Sequence, residues 1–424
     1  MPSVPPSPVA SESAQPRPKK SGKKLRNFGI FCVISGVAGA ALFAAMHRYP
    51  ALASAIVDPV RKVVGPKPIA WAEDVVYAVQ DKVNGVRKKD QAPVAYWSAS
   101  PAPPPAPSGS ELAAGAGSAV PVAAPSVAGA DPKWPPPAFK PPYPGVATPN
   151  DGTWVAMEDP QNPSGPTGLY KTLVHPDPKR GWAVLAVVAF DLDKVDIFAQ
   201  PGTREPESPN LPRAARPGTV PVSAHKDLLA AFNGGWQAVH GRWGMMVNGT
   251  TLLPARPIGC VIAKYKDESL RVGVWKSLAD TEPDMVFFRQ TPPCLVENGR
   301  INPATNAEET TGWGATVDGD TIIRRSAFGL DAEKRVGFYG MGDDLSAGSL
   351  ARAMKTAGAD SVAQLDVNFS YPRFMIFDGA TDGPPKVKAP LAPTPNWKPE
   401  EYSVTPTHRD FFYLTRRKEP RTAP

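Results

Sequence analysis

Cysteine and histidine are scarce in this chain. Three cysteines and five histidines occur in 424 residues. There is no Cys-x-x-Cys pair, and His47, His175, His225, His240 and His408 are scattered. That argues against a zinc site of the usual ligand spacing, and no metal or cofactor is expected. A distributed basic surface is also missing, although the formal net charge is +7. Residues 1–48 hold Arg17, Lys19, Lys20, Lys23, Lys24, Arg26 and Arg48 against the single acid Glu12, and the remaining chain carries 40 basic and 39 acidic groups. The positive balance is an N-terminal cluster, so nucleic acid is not a partner of the main body.

Proline, by contrast, is abundant: 53 residues, of which 26 lie in the first 150, too many for that third of the chain to be packed domain throughout. Phe28–Met46 (FGIFCVISGVAGAALFAAM) carries no charge over 19 residues, about the minimum for a helix that crosses a bilayer. The lysines ahead of it keep the N-terminus in the cytoplasm. We therefore expect a single-pass signal anchor in the inner (cytoplasmic) membrane, with everything after it periplasmic or extracellular. A signal peptide cleaved near Ala51–Ala55 is the competing reading.

Residues 69–89 place Ala72, Val75, Val76, Val79, Val83 and Val86 at three- and four-residue steps, the pattern of an amphipathic helix. A stalk helix is the simpler interpretation; a helix lying on the outer membrane boundary or packing on a partner is the sharper one. Residues 92–149 hold 16 prolines amid Ala, Ser and Gly, which predicts a disordered, semi-extended tether. The expected organisation is a basic tail (1–27), anchor (28–46), stalk (47–91), linker (92–150) and head (151–417).

Within the head, Trp182–Phe190 is a continuous apolar run suited to a buried strand. Further short strands are expected at 195–199, 229–232, 244–247, 260–265, 271–275, 321–324, 327–330, 336–339 and 362–365. Asn248-Gly249 marks a two-residue hairpin. One helix is clear: Ser346 caps it, Leu350, Ala353, Met354 and Ala357 line one face, and Gly358 ends it. The expected class is α+β, a large, mostly antiparallel or mixed sheet with few helices, preceded by a transmembrane helix and a disordered tether.

Four places could carry chemistry. Asn233-Gly234-Gly235 follows an apolar strand, and paired glycines let backbone approach a ligand. Arg324 and Arg325 interrupt a strand pattern; with period two they face opposite ways, so one should be solvated and the other needs an anionic partner, either a ligand or a salt bridge. Asp366 stands at a strand end, a position used by both catalytic carboxylates and turn-formers. Asp343-Asp344 could hold a cation, but acids at a helix N-terminus are the simpler reading. For Cys260 and Cys294, the exported setting permits a disulfide, and two buried free thiols are the blander alternative.

The order of these segments resembles the phosphodiester glycosidase family. The resemblance runs through Asp191-Leu192, Asn233-Gly-Gly-Trp-Gln237, Pro293-Cys-Leu-Val-Glu-Asn-Gly299, Arg325-Ser-Ala-Phe-Gly329, Gly342–Lys355 and Gly358–Asp366, and it covers about residues 180–378. Where the family has three glycines after the aspartate, this chain has Val367-Asn368-Phe369, with Ser370 back in place. The resemblance implies hydrolysis of a sugar-1-phosphodiester in an envelope or extracellular glycan. On it, Arg325 takes the phosphate, Asp366 serves as a carboxylate at the anomeric carbon or attacking water, and Asn233, Gly234, Gly235 and Ser370 bind substrate. Two other readings stand beside it: a head that has lost catalysis and binds envelope polysaccharide, and an anchored scaffold whose tether recruits partners.

Overall fold

The computed structural model describes residues 77, 79–98, 134–163, 165, 167–306, 313, 322–379 and 382–418. All belong to one compact unit, Val60–Pro424. The expected anchor Phe28–Met46 and most of the expected tether lie outside the described residues. Among those residues, no helix is long and apolar enough to cross a membrane.

The strands are β1 (Val155–Ala156), β2 (Leu169–Val174), β3 (Leu185–Asp191), β4 (Val195–Gln200), β5 (Leu228–Asn233), β6 (Met245–Val247), β7 (Thr250–Leu253), β8 (Cys260–Tyr265), β9 (Leu270–Val274), β10 (Met285–Thr291), β11 (Val296–Glu297), β12 (Arg300–Ile301), β13 (Ile323–Leu330), β14 (Val336–Leu345), β15 (Ser361–Val367), β16 (Phe374–Phe377), β17 (Val387–Pro390) and β18 (Phe411–Arg416). Helix accompanies them at α1 (Trp275–Leu278) and α2 (Ala347–Thr356) and, among the described residues, also at 79–88. The expected α+β class, sheet-rich with few helices, is what the structure shows. The strands form not one sheet but three: β1-β2-β3-β14-β13-β15-β11-β12, β7-β6-β10-β8-β9 and β17-β16-β5-β18-β4. Every pairing between these strands is antiparallel, for example Phe338 opposite Ala189 and Phe288 opposite Ala263.

Burial on both faces explains the continuous apolar runs. All seven residues of β3 and all eight of β13 are buried. One face of the long sheet is covered by α2, whose Leu350, Ala351, Ala353 and Met354 pack with Leu185, Val187 and Phe338. Ser346 and Ser349 close its N-terminus as a reciprocal capping box. The other face packs against the two smaller sheets. At its centre Phe232 stacks on Phe374 (5.8 Å) and Phe412 (5.4 Å) and leans on Tyr339 (4.6 Å). Asn248 and Gly249, both at positive φ, turn β6 into β7 as their sequence requires.

Several expectations need correction. The two strands expected at 321–324 and 327–330 are one, β13, because both of its arginines find hydrogen-bond acceptors inside the fold. Asp343 and Asp344 end β14 and are not first-turn helix acids; Asp343 pairs with Arg324 at 3.3 Å and Asp344 with Lys88 at 2.7 Å. Residues 79–88 are helical as expected, but they dock by their polar edge. Asp81 receives a two-pronged contact from Arg180 (2.7 and 3.0 Å), and Asn84 joins Lys88 on Asp344. Val79, Val83 and Val86 of the expected apolar face are 56%, 46% and 81% exposed.

The linker is also shorter than expected. Trp97 packs on the main core, its carbonyl accepts from Asn150, and Lys171 lies 4.4 Å over its ring. Trp134 and Phe139 pack on the core around α2, and Phe139 N–H donates to Gly152 O at 3.1 Å. Residues 92–98 and 134–150 therefore belong to the head.

Cys260 and Cys294 form a disulfide across 34 residues of sequence, which selects the permitted bridge over the free thiols. Closing a loop of that size removes unfolded-state freedom worth about 3–4 kcal/mol in the chain-entropy picture. Cys260→Ser with Cys294→Ser should lower the unfolding free energy by about 2–4 kcal/mol, with the denaturant midpoint as the readout. An unchanged midpoint would show the pair reduced in the native protein.

Candidate functional site

The ends of four strands from all three sheets meet at one point. β5 ends in Asn233 and runs into Gly234-Gly235. β10 contributes Arg289, β15 ends at Asp366-Val367, and Arg409-Asp410 lead into β18. Arg289 and Asp410 form a bidentate ion pair, Nε to Oδ2 at 2.7 Å and Nη2 to Oδ1 at 3.1 Å. Their side chains are 0% and 1% exposed. All five guanidinium hydrogens find acceptors, since Nη1 also donates to Trp243 O and Gln290 O and Nη2 to Trp236 O. A buried pair holds its charges only with this degree of satisfaction.

The glycines belong to this pair. Gly235 N–H donates to Asp410 Oδ2 at 2.9 Å. A Cβ on Gly234 would lie 2.1 Å from that oxygen, and one on Gly235 2.6 Å from the Arg289 guanidinium carbon. The backbone does make a close approach, but to the ion pair and not to a ligand.

Asp366 reaches the same region through a bulge. Arg325 stands opposite Val367 and Ala327 opposite Gln364, so Leu365 and Asp366 together face Ser326. The extra residue re-aims the strand end. Asp366 N–H donates to Gly234 O (3.1 Å), and its carbonyl accepts from Ser326 Oγ (2.9 Å). Its carboxylate pairs with Arg409 Nη2. Arg409 lies 4.3 Å over the Tyr371 ring, and Tyr371 Oη donates to Asp410 O at 2.7 Å. Among the described residues, nothing accepts from the buried Arg409 Nε.

Two carboxyls here are shifted toward neutral pH. Burial pushes Asp366 up to about 6; the Asp410 charge adds to this, while Arg409, the Val367 N–H and Arg289 oppose it. Burial likewise raises Glu205, against the Ala238 N–H (3.0 Å) and the Arg409 charge, with Asp410 and Glu207 adding to the rise. Arg409 therefore has two hard-to-ionise carboxyls near it, a pattern suited to proton transfer.

Of the other expected site residues, Arg325 lies away from this cluster, and Asn233 and Ser370 are committed to internal contacts. Arg325 is fully buried on the other side of β13, donating to Leu345 O (2.8 Å), Trp313 O (2.6 Å) and Gln364 Oε1 (3.1 Å). It is a core arginine, not a phosphate ligand. Arg324, one of the two expected to be solvated or paired, is also buried, held by Pro372 O, Pro393 O and Asp343. Both are enclosed because both faces of the sheet are covered.

Asn233 is fully committed inside the protein. Its amide donates to Ser326 Oγ (2.9 Å) and Gly234 O, and accepts from Tyr339 Oη (2.7 Å) and Arg373 N–H. Ser370 turns back on Asn368 Oδ1 through both N–H and Oγ, each at 3.0 Å. Val367 joins Trp236, Trp243 and Ile323 in an apolar cluster, with Tyr77 packed against it.

Arg289, Arg409, Asp410 and Glu205 were not read as site residues from the sequence. The signal existed for Arg289, the only charge in the apolar run Met285–Thr291. A charge there needs a buried partner, and Asp410, just before Phe411-Phe412-Tyr413-Leu414, is the one that meets it. Among the described residues, no group of three or more His, Cys, Asp or Glu could hold a metal ion.

No protein-family model matches the chain, and no curated protein matches it. Among solved structures it is similar to the zebrafish N-acetylglucosamine-1-phosphodiester alpha-N-acetylglucosaminidase catalytic domain auto-inhibited by its pro-peptide. That match has 17% identity, covers 63% of this chain and 88% of that one, and has a TM-score of 0.39. A hypothetical protein from Synechocystis aligns at 11% identity over 59% of this chain and 62% of that one, with a TM-score of 0.31. Both are distant structural likenesses.

Two stability effects follow. Arg289→Met leaves Asp410 buried without its partner and should cost about 3–5 kcal/mol in denaturant unfolding; a cost under 1 kcal/mol would show the pair to be dispensable. Asp366, with a folded pKa of about 6 against about 3.9 unfolded, stabilises the fold when protonated. That contribution is complete below about pH 4 and lost as pH rises through about 6. A stability–pH profile of Asp366→Asn should lack this component; an unchanged profile would count against the shift.

Proposed function

We propose that the head is a hydrolase for a sugar-1-phosphodiester, with Asp366, Glu205 and Arg409 as its working groups. The observation that carries this is the Asp366–Arg409 pair, in which a buried Nε–H of the arginine lacks an acceptor among the described residues. A buried donor without a partner is costly, and an anionic oxygen placed there would satisfy it. A phosphodiester supplies such an oxygen on the leaving group of a glycoside.

The reaction needs little acid assistance, because a phosphate monoester leaves readily. Water oxygen bonds to the anomeric carbon. The bond from that carbon to the phosphate oxygen breaks, and its electron pair goes to the phosphate, facing Arg409. Asp366, ionised, takes the proton of the attacking water, and the charge that develops on the sugar is stabilised by the two carboxyls. Arg325 takes no part, and Gly234 and Gly235 act only by seating Arg289 and Asp410. The proposal places this head outside the inner membrane, held by an anchor at Phe28–Met46.

A second reading has its own support. Val367, the residue after Asp366, packs in an apolar cluster with Trp236, Trp243 and Ile323, which suits a head that binds envelope polysaccharide without cleaving it.

The full-length chain incubated with sugar-1-phosphodiesters, N-acetylglucosamine first, should release reducing sugar. The rate should rise with pH through about 6, as the Asp366 base ionises. Asp366→Asn should lower it by about 10²–10⁴-fold while the protein stays folded. No release from folded protein that still binds the same diesters would replace hydrolysis with the binding reading.

A further inference from the structure

Beside this site the surface holds a second feature, a pocket of about 360 Å³ lined by Arg204, Glu207, Ser208, Pro209, Arg213, Arg216 and Arg242. Four guanidinium groups face one carboxylate there. The arginines come from separate segments: Arg204 from the loop after β4, Arg213 and Arg216 from the following 3₁₀ turn and its cap, and Arg242 from the loop after β5.

Their roles differ. Arg216 is 3% exposed, and its three nitrogens donate to Leu211 O and Pro206 O (2.5–2.9 Å). It fixes the pocket wall. Burial lowers its pKa, and the neighbouring Arg213 charge lowers it further, with Glu205 opposing. Arg213 makes only a loose contact with Glu207 at 3.6 Å, both side chains 63% exposed. Among the described residues, no hydrogen bond or ion pair takes up the guanidinium of Arg204 or Arg242. Arg242 is also held at φ 52, in the left-handed region that arginine rarely occupies.

Four converging cations with one loosely paired carboxylate among them repel one another, and they persist where a bound anion offsets the repulsion. Three exposed guanidiniums arriving from different segments match a tetrahedral oxyanion better than a planar carboxylate, which a single arginine fork satisfies. The volume exceeds what one such anion fills, leaving room for the group that carries it.

We propose that this pocket is a binding site for a doubly charged phosphate-type oxyanion, seated by Arg204, Arg213 and Arg242 against the wall that Arg216 fixes. Two sources share that chemistry, free inorganic phosphate and a sugar phosphate monoester. The site adjoins the Asp366 cluster: Arg204 N–H donates to His408 O at 3.1 Å, one residue before Arg409, and Glu205 follows Arg204. It does not rest on the hydrolase reading.

The test is calorimetric titration of the full-length chain with inorganic phosphate and with glucose 1-phosphate, using dimethyl phosphate and methyl glucoside as singly charged and neutral controls. The dianions should bind saturably and the controls at least tenfold more weakly. Tighter binding of glucose 1-phosphate identifies the ester as the ligand; equal binding identifies free phosphate. Arg204→Gln with Arg242→Gln should weaken binding by tenfold or more at an unchanged unfolding temperature, because both side chains are exposed. No saturable binding of either dianion, or equal affinity in the double variant, would overturn the proposal. Since binding and not turnover is read, and neither arginine belongs to the Asp366–Arg409 pair, either outcome leaves the hydrolase reading to its own test.

Discussion

The Arg289–Asp410 ion pair is the constraint around which the rest is arranged. It joins β10 of one five-stranded sheet to the start of β18 in the other, away from water. Two such charges are tolerated only when every donor and acceptor is met. That requirement brings in the carbonyls of Trp236, Trp243 and Gln290, and it forbids side chains at 234 and 235. Because Gly234 O accepts the Asp366 N–H, the pair also fixes the end of β15 in the long sheet. A single buried contact thereby positions strands from all three sheets, and the Asp366–Arg409 cluster is built on it.

The bulge in β15 adds the second element. With regular pairing, Asp366 would share a face with Gln364 and so would point at Arg325. The extra residue opposite Ser326 turns it instead toward Arg409 and Asp410. The two residues to which the family resemblance assigns the chemistry thus end up with different surroundings, one inside a core network and one in a cluster with shifted carboxyls.

What could be read from sequence follows from the range of the signal. Strands β3 and β8, the β6–β7 hairpin and the Ser346-capped helix are local patterns, and they were legible. So was Asp366 as a strand-end carboxylate. β10 and β18 were not, since Met285–Thr291 and Phe411–Arg416 carry charges that look unsuited to buried strands until their partners are known. The nearest of those partners in sequence, Gln290 aside, is 46 residues from Arg289, and Asp410 is 121 away. No periodicity encodes such distances. The helix at 79–88 was legible from its valine period, while its contacts with the head, made by the charged edge through Asp81 and Lys88, were not.

The contacts at the N-terminal edge of the head have a mechanical consequence. Trp97 and Trp134 both pack on the core, and ahead of Trp97 the helix at 79–88 is tied to the head by the Arg180–Asp81 and Lys88–Asp344 pairs. Tension entering from the N-terminal side of Tyr77 falls first on those two partly exposed pairs and only then on Trp97. Such pairs are individually weak, so the helix would peel away while the three sheets stay closed.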